Sequence, residues 1–327
     1  MSKIVVFLRK KRTGANSIEE IFHSLISYLG DNVELQELPC AGAGLKSIIK
    51  NIIFARKHRG DINHITGDVH YIALGTGRKT LVTIHDVQSI ITGGALKRKI
   101  KKWLWFDLPL LIADKISVIS KFTEKELLNI CPFVKNKLSV VYNPMSKHLM
   151  CSHSACDKTM CNKKIVLHIG TKTNKNLEAV LRALEGLQVK LVVIGKMTED
   201  QHSLAKALNI DYVNQYDLPY NEVLNHYAQA DLVTFPSFYE GFGMPIIEAN
   251  AIGVPIIVSN IDVLHEVARD AAFYINPYSD ESIRCGIIEL LRNEQLRIHL
   301  IAQGKTNAIR FAPLNIANQY KSLYNQL

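Results

Sequence analysis

The 327 residues, 47% of them apolar and 21% charged, are enough for two domains of ordinary size, each with its own core. No eighteen apolar residues run together, which excludes a membrane-spanning helix and predicts a cytoplasmic protein, and six scattered cysteines predict reduced thiols. The net charge of +9 sits in the first half: residues 1–150 carry 23 Lys and Arg against 12 Asp and Glu, and the remainder 16 against 18.

The first element is the apolar run Ile4–Leu8, a buried strand too short for a signal-peptide core and followed by Arg9, Lys10, Lys11 and Arg12. A loop with Gly14, Ala15, Asn16 and Ser17 leads into Ile18, Ile21, Phe22, Leu25, Ile26 and Leu29, whose spacing predicts a helix. Short strands are expected at 62–66, 80–84, 115–119 and 138–142 with helical stretches between them. This alternation calls for a parallel sheet covered on both faces. In one such stretch Leu96, Ile100, Trp103 and Leu104 share a helical face among Lys97, Arg98, Lys99, Lys101 and Lys102. The pattern suits either an interfacial helix, making 96–106 a peripheral membrane contact on anionic lipid, or a surface helix packed on its own domain. Nucleic acid is not an expected partner, because no aromatic-interleaved or zinc module accompanies the basic half.

From about 146 to 163 the chain turns polar, with Cys151, Cys156 and Cys161 near His148 and His153. The spacing lacks a Cys-x2-Cys, so a linker with incidental cysteines is the better account than a zinc site. A second series of strands follows at 164–170, 190–194, 210–213, 228–235, 255–258 and 272–275, with helices at 280–292 and 295–310. In the remainder, Ile316, Tyr320, Leu323 and Tyr324 recur at helical spacing. The chain is thus divided into a domain over 1–150, a linker over 151–163, a second domain over 164–310 and a closing helix in 311–327.

The stretch that follows the strand ending at Phe235 carries the most chemistry. It reads Pro236, Ser237, Phe238, Tyr239, Glu240, Gly241, Phe242, Gly243, Met244, Pro245, Ile246, Ile247, Glu248 and Ala249. The loop after a strand is where α/β enzymes bind ligands. Gly241 and Gly243 let the backbone approach a ligand, and Pro245 suits the first turn of a helix. The free N–H groups near Phe242, Gly243 and Met244, with the positive end of the helix dipole, favour a phosphate. Glu240 lies before the turn and Glu248 about a turn into the helix, so one carboxylate could face a reacting sugar carbon while the other accepts from ribose hydroxyls. The alternative is that Glu240 is a loop charge and Glu248 complements the helix dipole.

A second loop, with Gly170, Thr171, Lys172, Thr173, Asn174, Lys175 and Asn176, also follows a strand and opens a helix. Lys175 there can neutralise a diphosphate leaving group, and Lys172 either adds a second charge or is simply solvated. His85 and Asp86 stand just past the end of a strand in the first domain. Val213, Asn214, Tyr216 and Leu218, with Tyr220 and Leu224 nearby, are candidates for packing on a nucleobase.

The run from Tyr239 to Ala249 closely resembles the signature of the family 4 retaining glycosyltransferases, part of glycosyl transferases group 1, whose architecture is called GT-B. The resemblance is strong over 165–318 and looser before that. It implies two doubly wound Rossmann-like α/β domains facing a cleft, with a last helix that returns to the first domain. It also implies retaining transfer of a sugar from a nucleoside diphosphate sugar to an acceptor hydroxyl. The 170–176 loop is similar to the family's Gly-x-x-x-Arg-Lys-Asn, with Lys175 at the lysine position and Asn174 in place of the arginine. His85 matches a histidine that contacts the donor sugar, and Gly14 stands in a first loop that lacks the family's usual double glycine. The resemblance makes Glu240, His85 and Lys175 the expected catalytic residues. Donor binding is expected of Gly14, Gly170, Thr171, Asn174, Lys175, Tyr216, Glu240, Gly241, Phe242, Gly243, Met244 and Glu248.

No Asp-x-Asp occurs in the chain, so neither metal nor cofactor is expected. The expected acceptor is a lipid-linked or envelope saccharide, which would bring the protein to the inner face of the membrane. A nucleotide-sugar epimerase of similar architecture and a non-catalytic sugar-nucleotide-binding protein remain as other readings.

Overall fold

A computed structural model describes residues 2–10, 17–41, 44–87, 95–149 and 163–327. Gly14, the cysteines Cys151, Cys156 and Cys161, His153 and nearly all of the expected linker 151–163 lie outside them. The chain divides into two compact units: Met1–Ser146 with Ala312–Leu327, and Lys147–Phe311.

The first unit is built on six parallel strands: β1 (Ile4–Leu8), β2 (Val33–Glu37), β3 (Ile62–Ile65), β4 (Thr80–Ile84), β5 (Lys115–Val118) and β6 (Leu138–Val140), arranged β2-β1-β3-β4-β5-β6. Strands β1, β3 and β4 are buried along their whole length because helices cover both faces. Strand β2 is absent from the sequence expectations. It is an edge strand reading Val-Glu-Leu-Gln-Glu with only Val33 buried, so it shows no apolar run, yet it pairs with β1 from Ile4↔Val33 to Leu8↔Glu37.

The last helix, Pro313–Tyr324, packs on helix Ser17–Leu29 in this unit. Tyr320 lies 5.9 Å from Phe22, and the Tyr324 hydroxyl meets His64 Nδ1 at 2.8 Å. His64 Nε2 is paired with Thr83 Oγ1 at 2.7 Å, and burial holds this histidine neutral with a pKa down to about 3.

The second unit repeats the scheme with β7 (Lys164–Ile169), β8 (Val189–Ile194), β9 (Tyr212–Gln215), β10 (Leu232–Phe235), β11 (Ile256–Ser259) and β12 (Phe273–Ile275), ordered β12-β11-β10-β7-β8-β9. All the registers are parallel. The expected strand 228–235 is shorter than the sequence suggests: helix Tyr220–Gln229 runs into it and β10 begins at Leu232. The chain leaves β7 towards β8 and β9, then crosses to the other side of β7 for β10, β11 and β12. The order therefore reverses between β7 and β10, and a crevice forms outside their carboxyl ends.

Candidate donor-sugar site

Both loops singled out in the sequence leave the sheet at that reversal. The 170–176 loop follows β7 and the 236–243 loop follows β10, and the two are joined by backbone. Phe238 N–H donates to Asn174 O at 2.9 Å, and the Asn174 side chain donates to Tyr239 O at 3.1 Å. Asn176, in the left-handed region at φ 60°, is buried and donates to Pro236 O at 3.2 Å and to Pro277 O at 2.7 Å.

Within this frame Lys175 Nζ contacts Glu240 Oε1 at 2.6 Å, with both side chains mostly covered. Lys175 also lies 4.8 Å from the centroid of the Phe235 ring at the end of β10. Gly170 makes this route possible. It sits at φ +93°, and a Cβ there would lie 2.8 Å from Lys175 Cγ. Its N–H donates to Ile194 O at 2.7 Å, and the Thr171 hydroxyl donates to Lys196 O at 2.6 Å, which fixes the loop to the end of β8. Asn174 carries no charge where the family pattern has arginine, and here it serves as a loop tie.

Gly243 caps helix Met244–Ile252 in a left-handed conformation at φ +114°, with Pro245 in the first turn. Phe242 turns inward and packs edge-on against Phe311 at 5.7 Å, so it offers the crevice only its backbone. Gly241 and Met244 are partly exposed beside it. Glu248, one turn into the helix, is buried and engaged at both oxygens: Tyr220 donates to Oε1 at 2.9 Å and Tyr227 to Oε2 at 2.6 Å. Burial raises the Glu248 pKa above the usual carboxylate range, opposed by the two hydroxyl bonds and by Lys175.

The nucleobase candidates divide. Tyr216 is 52% exposed with Lys196 Nζ 6.0 Å from its ring centroid, a surface open to stacking. Val213 and Asn214 are not in a loop but in β9, where Asn214 donates to Val193 O and Gly195 O. The strand was expected two residues earlier, and the alternation of Tyr212 and Asn214 hides its half-buried edge position.

In the first unit His85 stands just past β4. Its Nε2 is buried, and desolvation, then His70 and Arg9, lower its pKa to about 3, so it is a neutral imidazole. Tyr227 stands in no motif of the sequence, although Tyr220 and Tyr227, seven residues apart on one helix, share a face. His168, also outside any motif, lies on β7 with Nδ1 3.1 Å from Thr234 Oγ1 of β10.

Comparison with known proteins agrees with this geometry. Residues 159–307 match the family model described as glycosyl transferases group 1. The O-antigen chain mannosyltransferase B of Escherichia coli is 32% identical over 178 residues, 49% of this chain and 45% of that one. The O-antigen chain mannosyltransferase RfbU of Salmonella typhimurium is 23% identical, with 64% of this chain and 60% of that one matched. The chain thus spans about half the length of the curated relatives it matches.

Among solved structures, Anabaena Alr3699/HepE in complex with UDP and glucose superposes with a TM-score of 0.80 at 16% identity, covering 99% of this chain and 100% of that one. WaaG, a glycosyltransferase involved in lipopolysaccharide biosynthesis, superposes at 0.75 with 12% identity, covering 98% and 99%. These likenesses show the GT-B fold, with two Rossmann-like α/β domains. The matched stretch of the group 1 model holds both loops and the Lys175–Glu240 pair, so it is the second unit that is similar to the glycosyl transferases group 1.

Proposed function

We propose that the chain is a retaining glycosyltransferase that moves a sugar from a nucleoside diphosphate sugar to an acceptor hydroxyl without metal or cofactor. The observation that carries this reading is the Lys175–Glu240 pair at 2.6 Å, set where the strand order reverses. As the bond between the anomeric carbon and the diphosphate oxygen breaks, negative charge gathers on the leaving oxygen and positive charge on the sugar ring. Lys175 and the N–H groups at the start of helix Met244–Ile252 meet the first charge, and Glu240 orients the sugar and meets the second. The acceptor oxygen forms the new bond on the face the diphosphate leaves, and its proton passes to the departing phosphate oxygen. Glu248 accepts from the ribose hydroxyls on the lone pairs that Tyr220 and Tyr227 leave on its two oxygens, and Tyr216 takes the base.

The acceptor we favour is a lipid-linked or envelope saccharide, in line with the O-antigen names of two relatives. Among the described residues no helix is long and apolar enough to cross a membrane. Contact at an inner membrane face would run through 96–106, where Ile100 and Trp103 are exposed while Leu104 and Phe106 pack inward.

A thermal-shift screen against UDP-, GDP-, ADP- and dTDP-sugars with EDTA present tests the donor site. Ligand at a hundred times Kd adds about 2.7 kcal/mol of stability. A shift with one nucleotide series is expected, and no shift with any of them sinks the reading. Incubating the recognised donor alone separates transfer from epimerisation, because an epimerase would change the sugar with no acceptor present. Binding without turnover on any acceptor would favour a sugar-nucleotide-binding protein.

A further inference from the structure

We infer that the outer face of helix Leu45–His58 is a second docking surface for an anionic lipid bilayer, extending the membrane contact proposed for 96–106 and independent of the donor chemistry. The inner side of this helix is Ile48, Asn51 and Ala55, all buried. Asn51 locks it in place, donating to Cys40 O at 3.0 Å and Tyr71 Oη at 2.8 Å and accepting from Cys40 N–H at 3.1 Å. Leu45, Ile49 and Ile53 follow one another at four-residue steps along another flank and are 72%, 47% and 49% exposed. A single exposed aliphatic side chain is ordinary, but three in a row along a well-anchored helix form a patch that water disfavours.

The neighbouring elements continue that patch. Gly75 of the short helix Ala73–Thr76 comes so close that a Cβ there would lie 2.3 Å from Ile52 O, and its neighbour Leu74 is exposed. Ala73–Thr76 packs in turn on helix Leu108–Ile112, which exposes Leu111. The turn Trp103–Asp107, with Trp103 exposed, completes the layer. Ile48, Ile72, Phe106 and Leu110 of these elements share one core beneath, so the outward side chains belong to one side of the first unit.

Charge selects the occupant. Helix Leu45–His58 contains no acidic residue, and Lys46, Lys50, Arg56 and Lys57 are exposed along it. A second copy of the chain would bring these cations against themselves, whereas anionic headgroups neutralise them while the aliphatic row enters the acyl boundary.

Co-sedimentation with phosphatidylcholine vesicles, with and without phosphatidylglycerol, tests the inference on the full chain. Wild type is expected to partition onto the phosphatidylglycerol vesicles and to be released by salt. The I49E/I53E variant should bind at least about tenfold more weakly. K46Q/K50Q should lose about fivefold for each lysine removed on anionic vesicles only. Both variants change exposed positions and should keep the wild-type melting temperature. Failure of wild type to bind, equal binding by I49E/I53E, or light scattering that shows a wild-type dimer which I49E/I53E makes monomeric would each overturn it. The donor thermal shift is read on the same samples: its loss with vesicle binding intact counts against the transferase reading alone, and the reverse against this surface alone.

Discussion

The Tyr227 hydroxyl donates to Glu248 Oε2 at 2.6 Å, and both side chains are buried. Together with Tyr220 on Oε1, it leaves the carboxylate satisfied but poorly solvated, and its pKa is raised chiefly by burial. A carboxyl whose folded pKa lies above its unfolded one stabilises the protein below the unfolded value, about 4.3, and loses that contribution as pH rises through the folded value. Above its raised pKa the ionised Glu248 is therefore a cost to the fold. The Glu248→Gln variant is expected to be more stable than wild type by about 1 kcal/mol at pH 7.5, with the gap closing towards pH 4. The same variant should bind donor more weakly. Urea unfolding at the two pH values checks the first part and donor titration the second; a less stable variant at pH 7.5 would sink the argument.

Lys175 and Glu240 act as a unit in the proposed chemistry, and their 2.6 Å contact makes the prediction quantitative. Glu240→Ala should lower turnover at least about a hundredfold, the usual size of losing one preorganised electrostatic group. Lys175→Ala should lower it comparably, because it removes the cation facing the leaving phosphate. The double variant should fall short of the product of the two losses by about 1–3 kcal/mol of coupling. Full turnover in Glu240→Ala removes its proposed role, and strict additivity removes the unit.

The two sheets were legible in the sequence because their inner strands are short and almost wholly apolar: Ile4–Leu8 is an unbroken apolar run, Leu232–Phe235 is interrupted only by Thr234, and both are buried along their whole length. Strand β2 was not, since an edge strand whose even positions are Glu34 and Gln36 has the composition of a loop. The loops bearing Lys175 and Glu240 could be read from their glycines and their place after strands. Their direct contact could not, because it spans 65 residues and depends on the crossover that sets β10 beside β7. Glu248 shows the same limit. Its position on a helix was readable, but its capture by Tyr220 and Tyr227 required knowing which helix packs on it.

Gly170 permits the Lys175 route in two ways, through its backbone at φ +93° and through the space that a Cβ would take 2.8 Å from Lys175 Cγ. Gly170→Ala should therefore cost about 1–3 kcal/mol of stability from backbone strain and also displace the ammonium from Glu240. Turnover is expected to fall even where the protein remains folded. Gly186, also at positive φ but with nothing near its Cβ position, is the control: Gly186→Ala should cost stability with turnover unchanged. Equal turnover in the two variants would show that Gly170 matters only through its backbone.

Three histidines with buried ring nitrogens set the acid limit of the fold. His64, His85 and His168 each have a pKa lowered to about 3, with desolvation as the first cause. A histidine whose folded pKa is depressed leaves the unfolded chain binding more protons between about 3 and its free value near 6.5. Its contribution is therefore complete above 6.5 and is lost as pH falls through that window, at up to about 1.4 kcal/mol per pH unit for each group. Stability should drop steeply from pH 6 downward, in contrast to the small gain that protonation of Glu248 gives below its own raised pKa. His168→Gln keeps a partner for Thr234 and should flatten the slope of unfolding free energy against pH by about one proton between pH 6 and 4. The slope is read from urea titrations at three pH values, and an unchanged slope in this variant would mean that His168 is protonated in the folded protein.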